Sequence, residues 1–488
     1  MLSPLSTLGS AWPADRVPSP ATAATSRVST ALWTLAFLAA LGIRLVLLHA
    51  SAGVEPRIVD EQHYHQLATN LVRGDGFGWS ASQPTSIRPP LYPMLVAAIW
   101  YVGGSDGLQA VRGAQIVLAA LSAWLLYLIT ARLFDRSTGA LAALALAFYP
   151  TLIFSGVLLL TEVLFVTLLL TAVHGCLVLL QRNTWRVALG TGLAFGAAAL
   201  TRSILWPFPF VLVLFLALAL RGSVRQRATL CALVLLGFAI VVGPWSVRNT
   251  RLQRTFTVVD TMGGLNLLMG NYEYTPEARM WDAISQTGAR SWSEPLRHVT
   301  PPAGGWTEGT KDHWAQRQAL AFMAANPRLT ARRSAIKLAD LWGLEREWVS
   351  GLQHGLYQPP VWFAVVSSAA VLIAFPVILI AAIVGIFLAP PAERRAHWFF
   401  VLLIAYVCAL QSLTFGHSRY HLPLVPILIV YAASAVSRSS EVMRRLRTRA
   451  AIAPALGLGL AALVWGHEVL VRDADKIAAL IHVLRNGT

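Results

Sequence analysis

Lysine is almost absent from this chain. Lys311, Lys337 and Lys476 are its three occurrences in 488 residues, while Lys and Arg together number 39. That skew suits a bacterial protein from a GC-rich genome. Charge of either sign is scarce, at 13% of residues, while 56% are hydrophobic and the mean hydropathy is +0.58. Such a composition excludes an ordinary soluble domain and indicates a polytopic membrane protein. The three cysteines, Cys176, Cys231 and Cys408, lie in apolar runs without pairing or metal-ligand spacing. This excludes a disulfide framework and a cysteine-held metal. Short-period repeats are missing, and so are the paired broken helices of transporters.

A spanning helix needs about 20 apolar residues. Runs of about that length occur near 31–49, 108–131, 138–155, 157–180, 187–200, 203–220, 228–247, 359–388, 398–414, 421–437 and 450–470. The segment 91–103 is apolar but short, and reads as re-entrant or interfacial. The net charge of +16 alone would suit nucleic acid, but the arginines gather in short loops between apolar runs. Arg132/Arg136, Arg182/Arg186, Arg221/Arg225/Arg227, Arg394/Arg395 and Arg438–Arg449 fit on one side of a membrane, the positive-inside pattern. The expectation is an all-α polytopic membrane protein with about eleven spans, N-terminus inside, C-terminus outside and no nucleic-acid partner. Residues 1–30, rich in Ala, Ser, Thr and Pro, read as a disordered cytoplasmic tail. Ala50-Ser51-Ala52 resembles a cleavage site, but Arg44 and the length of the preceding run favour an uncleaved signal anchor. The membrane module covers 31–249 with an outer loop at 51–91, and 359–471 supplies the C-terminal helices before a tail at 472–488. Residues 250–358 read as a small mixed extracytoplasmic domain. Two amphipathic helices are expected there, near 311–325 and 328–342, split by Asn326-Pro327.

The loop at 51–91 concentrates polarity. Asp60-Glu61 opens an expected helix that runs to about Arg73 and places Tyr64, Leu67 and Leu71 on one face. Two readings stand side by side. Asp60 is an N-cap with Glu61 favoured by the helix dipole, or Asp60 is a general base acting on an acceptor hydroxyl. His63 and His65 diverge on a helix, so joint metal ligation is disfavoured. Glu61 and His63 are weak candidates for a divalent cation. Gly74-Asp75-Gly76-Phe77-Gly78 reads as a turn. Arg88 precedes Pro89-Pro90 and stands at a helix start, as a phosphate ligand or as a snorkelling interface arginine.

Further charges sit at the ends of apolar runs. Glu162 lies in an otherwise apolar stretch after Pro150 and needs a cavity or a partner. Arg202, Arg248 and Arg419 stand at three other expected outer boundaries, each an interface anchor, a structural ion pair or, with Arg88, part of a site for a lipid phosphate.

Taken in order, these residues resemble GT-C-fold bacterial glycosyltransferases, the superfamily of the lipid A aminoarabinose transferases and protein O-mannosyltransferases. The resemblance rests on Asp60-Glu61-x-x-Tyr64, Arg88-Pro89-Pro90-Leu91-Tyr92-Pro93, Thr161-Glu162 after Tyr149-Pro150, and Leu200-Thr201-Arg202. Pro244-Trp245-x-x-Arg248-Asn249, Gly264-x-Asn266 through Gly270-Asn271, Asn326-Pro327 with Lys337 and Trp342, and Arg419-Tyr420-His421-Leu422-Pro423 complete it. It implies inverting transfer of a sugar from a polyprenyl phosphate to a hydroxyl of a glycan, lipid or protein. The transfer would take place at the outer face of the bacterial inner membrane. Asp60, with Glu61, would be the catalytic carboxylate. Arg88, Arg202, Arg248 and Arg419 would hold the donor phosphate, with Tyr64, Glu162, His417 and Tyr420 in support. Aminoarabinose transferases carry a metal-associated Glu before the basic residue. Here that position is Ile87, so the metal is an open question. A flippase of lipid-linked sugars, or a ligase of whole lipid-linked glycans, is the alternative.

Overall fold

The computed structural model describes residues 20–277 and 280–474, with side chains from Leu32 onward. Most of residues 1–30 and 472–488 lie outside the described residues. Helix α1 (Pro20–Ala50) begins within the stretch expected to be a tail. There follow α2 (Val59–Arg73), a short antiparallel pair β1 (Gly78–Ser80) and β2 (Gln83–Pro84), α3 (Leu91–Gly103), α4 (Leu108–Leu133), α5 (Arg136–Ala147) and α6 (Pro150–Ser155). Next come α7 (Glu162–Gln181), α8 (Trp185–Thr201), α9 (Phe208–Ala219), α10 (Val224–Gln253) and α11 (Gly263–Met269). The chain ends with α12 (Glu308–Ala325), α13 (Pro327–Leu341), α14 (Glu347–Gln353), α15 (Val361–Leu388), α16 (Arg394–Leu413), α17 (Val425–Ser437), α18 (Ser439–Leu446) and α19 (Ile452–His467).

The protein is all-α and multi-pass in character. Each of the eleven expected apolar runs contains a helix, but among the described residues eight helical segments are long and apolar enough to cross a membrane. The other three are shorter. Pro150 has no N–H to donate and starts a new helix, which splits the 138–155 run into α5 and α6. The 203–220 run opens with a 3-10 turn, and Pro207 and Pro209 delay α9. The 187–200 run is the 17-residue α8.

Helix α8 lies tightly along α10 because both present glycine at the seam. A Cβ on Gly192 would come 2.0 Å from the Val234 carbonyl oxygen, and one on Gly237 would come 2.3 Å from that of Leu189. Small residues bring helices close where lipid offers no hydrophobic drive to pack. The main core unites buried residues of α4, α7, α8, α10, α15, α16 and α17, among them Ile129, Phe165, Phe195, Val234, Phe375, Phe400 and Tyr431.

The loops sort onto two faces. On one, Thr138 Oγ1 bonds Ser437 Oγ (2.9 Å), Asn183 Nδ2 donates to the Arg221 carbonyl (2.6 Å) and Arg395 Nη1 to that of Ala219 (3.2 Å). These are the arginine-rich connections. On the other face, Arg112 ties Ser51, Val54 and Val157 together through their carbonyls. The end of α19 reaches the same face, where Glu468 accepts from Leu344 N and Arg472 pairs with Asp340.

Residues 250–358 fold onto that second face. The break at Asn326-Pro327 separates α12 from α13 as expected. The described residues of this segment form helices and turns, and its apolar cluster (Leu268, Met269, Tyr272, Trp314, Ala315, Ala319) borrows Phe415 from beyond α16. Fully buried Lys337 fastens the junction, donating to Asn271 Oδ1 (2.9 Å) and the Leu413 carbonyl (3.0 Å). Burial, together with nearby Arg333, pushes its ammonium down to about 7.

Candidate active site

The first turn of α2 separates the two adjacent acids. Glu61 is buried. Its Oε2 accepts from the amides of Arg57 (3.1 Å) and Ile58 (3.4 Å), and its Oε1 accepts from Leu159 N (2.9 Å). It caps the helix whose N-cap residue is Ile58, and pins it to the loop before α7. Glu61 therefore has a structural position, which departs from the catalytic or metal role expected of it. Asp60, one residue earlier, is not the N-cap and its carboxylate points elsewhere.

Asp60 meets two guanidinium groups. Its Oδ1 lies 2.7 Å from Arg88 Nη2 and its Oδ2 lies 3.0 Å from Arg419 Nη1. Arg88 is delivered by the Ile87-Arg88-Pro89 corner just before α3. Arg419 sits in the 3-10 turn Ser418–Leu424 that precedes α17. Arg419 Nε reaches on to Glu162 Oε1 at 2.7 Å. Glu162 is the buried first residue of α7, and Arg202, at the end of α8, approaches the same oxygen at 3.3 Å. Arg202 Nη1 is buried and, beyond this ion pair, makes no hydrogen bond among the described residues. A continuous chain, Arg88–Asp60–Arg419–Glu162–Arg202, thus runs through five segments of the sequence. Three guanidinium groups face two carboxylates, which leaves one net positive charge.

The electrostatics follow from this arrangement. Burial alone would raise the Asp60 carboxyl, but Arg88, Arg419 and Arg202 hold it below its ordinary value. His63 Nδ1 accepts from Arg88 Nε (3.2 Å) and Nη2 (3.0 Å), so this ring nitrogen is turned to the guanidinium. Burial and Arg88 push His63 down despite nearby Asp60. The Tyr64 ring lies under Arg88 (5.7 Å), and burial and Asp60 push its phenol up to about 12. Among the described residues no three His, Cys, Asp or Glu side chains gather to hold a metal ion. Glu61 and His63, the sequence candidates, both face protein donors.

Arg248 stands apart. Its Nη1 donates to the Thr85 carbonyl (2.6 Å) and to Asn249 Oδ1 (2.9 Å), and its Nη2 to the Phe77 carbonyl (2.9 Å), over the Trp245 ring (4.6 Å). It braces the loop that carries Arg88 and does not join the arginine cluster, contrary to expectation. His417 Nδ1 lies 3.2 Å from Glu347 Oε1 and accepts from Arg419 N (3.2 Å), so it orients the turn bearing Arg419. Tyr420 lies against Trp281, at 6.4 Å between ring centroids.

Besides Glu347, two acids near the Arg88 corner escaped the sequence reading. Glu308, in the first turn of α12, accepts from Thr85 Oγ1 (2.6 Å) and Ser86 N (2.7 Å), two residues before Arg88. Its signal was the Thr307-x-x-Thr310 cap that marks the start of that helix. Asp260 accepts from Met262 N (3.3 Å), and the neighbouring Thr261 N bonds the Ser86 carbonyl (3.1 Å). Burial pushes Asp260 up to about 6, against the opposing hydrogen bonds of Ser203 and Met262. Nothing in its local sequence marked it.

Comparison with known proteins bears on this arrangement. Residues 87–246 match a family model described as dolichyl-phosphate-mannose-protein mannosyltransferase. The sequence matches no curated protein. An oligosaccharyltransferase from Archaeoglobus fulgidus, in its apo form, aligns over 88% of this chain and 54% of its own, at 13% identity and a TM-score of 0.48. The same organism's enzyme in complex with an inhibitory peptide and a dolichol-phosphate aligns over 90% and 56%, at 14% and 0.48. The chain therefore spans about half the length of those enzymes. ArnT from Cupriavidus metallidurans, in the apo state, aligns over 86% of this chain and 80% of its own, at 15% identity and 0.39. From the corner that bears Arg88 to Ser246 near the end of α10, the chain is similar to the dolichyl-phosphate-mannose-protein mannosyltransferases, and its ordered motifs resemble the GT-C glycosyltransferases.

Proposed function

We propose that this protein is an inverting glycosyltransferase that moves a sugar from a polyprenyl phosphate to a hydroxyl acceptor at the extracytoplasmic face of a membrane. The observation that supports it best is the five-residue chain Arg88–Asp60–Arg419–Glu162–Arg202, set where apolar helices end. A phosphate that leaves a sugar gains negative charge as the bond breaks. Preorganised guanidinium groups with a surplus positive charge stabilise that gain most in the transition state. The buried Arg202 Nη1, which has its ion pair with Glu162 but no hydrogen bond of good geometry, is a donor available to such a phosphate.

In this reading the bond from the anomeric carbon to the phosphate oxygen breaks, and its electron pair stays on the phosphate. The acceptor oxygen bonds to the anomeric carbon from the opposite side, which inverts the configuration. The acceptor proton passes to a lone pair of Asp60, whose oxygens each accept one arginine and retain further capacity. A carboxylate held below its ordinary range is a weak base. It suffices when the leaving group departs early and the sugar carries most of the positive charge. No step requires a metal.

The test uses the full chain in lipid nanodiscs with radiolabelled sugars on polyprenyl phosphate, polyprenyl diphosphate or nucleotide. Wild type is expected to turn over the polyprenyl-phosphate donor. Asp60→Asn is expected to express normally and lose on the order of 10²–10⁴ in rate. Turnover of nucleotide sugars alone, or an undiminished Asp60→Asn, overturns the reading. Movement of intact donor across the bilayer without turnover would favour a flippase.

A further inference from the structure

A cavity of about 350 Å³ opens beside the first turns of α12. Thr310, His313, Trp314 and Arg317 line it from one face of that helix, at the i, i+3, i+4, i+7 spacing that puts side chains in one row. Thr255 and Trp306 line it from the facing chain. Trp314 is buried at 5% exposure, whereas Arg317 is exposed and pairs with no carboxylate among the described residues. His313 Nε2 lies 2.9 Å from the Phe256 carbonyl, which fixes the ring. The lining has two indoles, three threonines, an imidazole and a guanidinium, and no acid.

This chemistry selects its ligand. An indole offers an apolar face that matches the C–H face of a sugar ring, while hydroxyls and a guanidinium answer the polar rim. The lone guanidinium, unopposed by any lining carboxylate, favours an acidic substituent. The position also fits. Glu308, the first residue of α12, holds the backbone two residues before Arg88. Along the helix axis His313 is about 8 Å and Arg317 about 14 Å beyond Glu308, a length that a short oligosaccharide bridges. We propose that this cavity is a subsite for an acidic sugar of the acceptor, anchored by Trp306 and Arg317 while its hydroxyl end reaches Asp60. The assignment rests on the glycosyltransferase reading for its purpose but not for its test.

The probe is trigalacturonate, with maltotriose as the neutral comparison, titrated into the full chain in nanodiscs and followed by saturation-transfer NMR. No donor and no turnover are involved, so a failed transfer assay leaves this measurement intact. Trigalacturonate is expected to bind, and maltotriose to bind at least about fivefold more weakly. Arg317→Gln, a change at the surface, is expected to abolish that preference. Trp306→Ala is expected to weaken both ligands about tenfold. A thermal midpoint shared with wild type shows that the variants are folded. Absence of trigalacturonate binding overturns the proposal. So does equal binding of both sugars by wild type, or affinity unchanged in Arg317→Gln and Trp306→Ala.

Discussion

Asp60 and Asp260 lie on either side of Arg88 in the chain, and their surroundings push them in opposite directions. Asp60 is charged at any pH near neutrality because guanidinium groups oppose its burial. Asp260 is half-buried, has hydroxyl and amide donors but no ion pair among the described residues, and rises to about 6. A carboxyl raised in the folded state favours folding in its protonated form. The stability it contributes is fully present below its ordinary value near 3.8 and is lost as the pH rises through about 6. At pH 8 the folded chain therefore holds a charge that burial disfavours. Asp260→Asn removes that charge and keeps the size. Its thermal midpoint is expected to exceed that of wild type at pH 8, by the equivalent of roughly 1–3 kcal/mol, and the gap is expected to close by about pH 4. A gap that stays constant from pH 8 to pH 4 would show that the Asp260 charge is not the cause.

At the scale of elements, α12 connects the 250–358 segment to the arginine cluster through Glu308. Gln253, the last residue of α10, donates through Nε2 to Ser86 Oγ (2.9 Å) and Glu308 Oε2 (3.1 Å), and accepts Gly309 N through Oε1 (2.9 Å). Two helices, α10 and α12, thus fix the two residues before Ile87. Glu308→Ala leaves Thr85 and Ser86 without their acceptor and frees the corner that presents Arg88. Donor turnover is expected to fall about 10- to 100-fold with the far helices undisturbed, since a small misplacement of a phosphate contact is costly. Glu308→Gln, which keeps one acceptor oxygen, is expected to recover part of the loss. Equal turnover in Glu308→Ala and wild type would show that the clamp does not position Arg88. Much at this scale was legible beforehand. Apolar length identified all eleven helical runs, and Asn326-Pro327 marked the break between α12 and α13. The polar loop and four of its expected partners, Arg88, Glu162, Arg202 and Arg419, were also identifiable as charges at the ends of apolar runs. Pairing was not legible, because Asp60 and Arg419 are 359 positions apart and only packing of α2 against the turn before α17 joins them. Nor did sequence separate Arg202 from Arg248. Both end apolar runs, and only the backbone carbonyls of Thr85 and Phe77 draw one of them away.

For the whole molecule, charge is divided between two faces in two different states. On the site face the arginines of the cluster are matched by Asp60 and Glu162. On the opposite face Arg182 follows α7, Arg221 lies in the connection before α10 and Arg225 in its first turn, and these segments meet where Asn183 and Arg395 donate to the carbonyls of Arg221 and Ala219. Unmatched arginine in short loops resists translocation and stays on the cytoplasmic side. Under the proposed function the matched cluster, with the 250–358 segment above it, is expected to face outward, where a lipid-linked donor and an acceptor would meet. This orientation is open to direct measurement because the native thiols interfere little: Cys176 and Cys231 are buried and Cys408 is half-buried. Ser82→Cys places a thiol on the exposed turn between β1 and β2, and Arg225→Cys places one in the exposed first turn of α10. A membrane-impermeant maleimide applied to intact cells is expected to label Ser82→Cys and to reach Arg225→Cys only after permeabilisation. The reverse pattern would put the arginine cluster in the cytoplasm, within reach of soluble nucleotide sugars. A donor held in the outer leaflet would then be untenable.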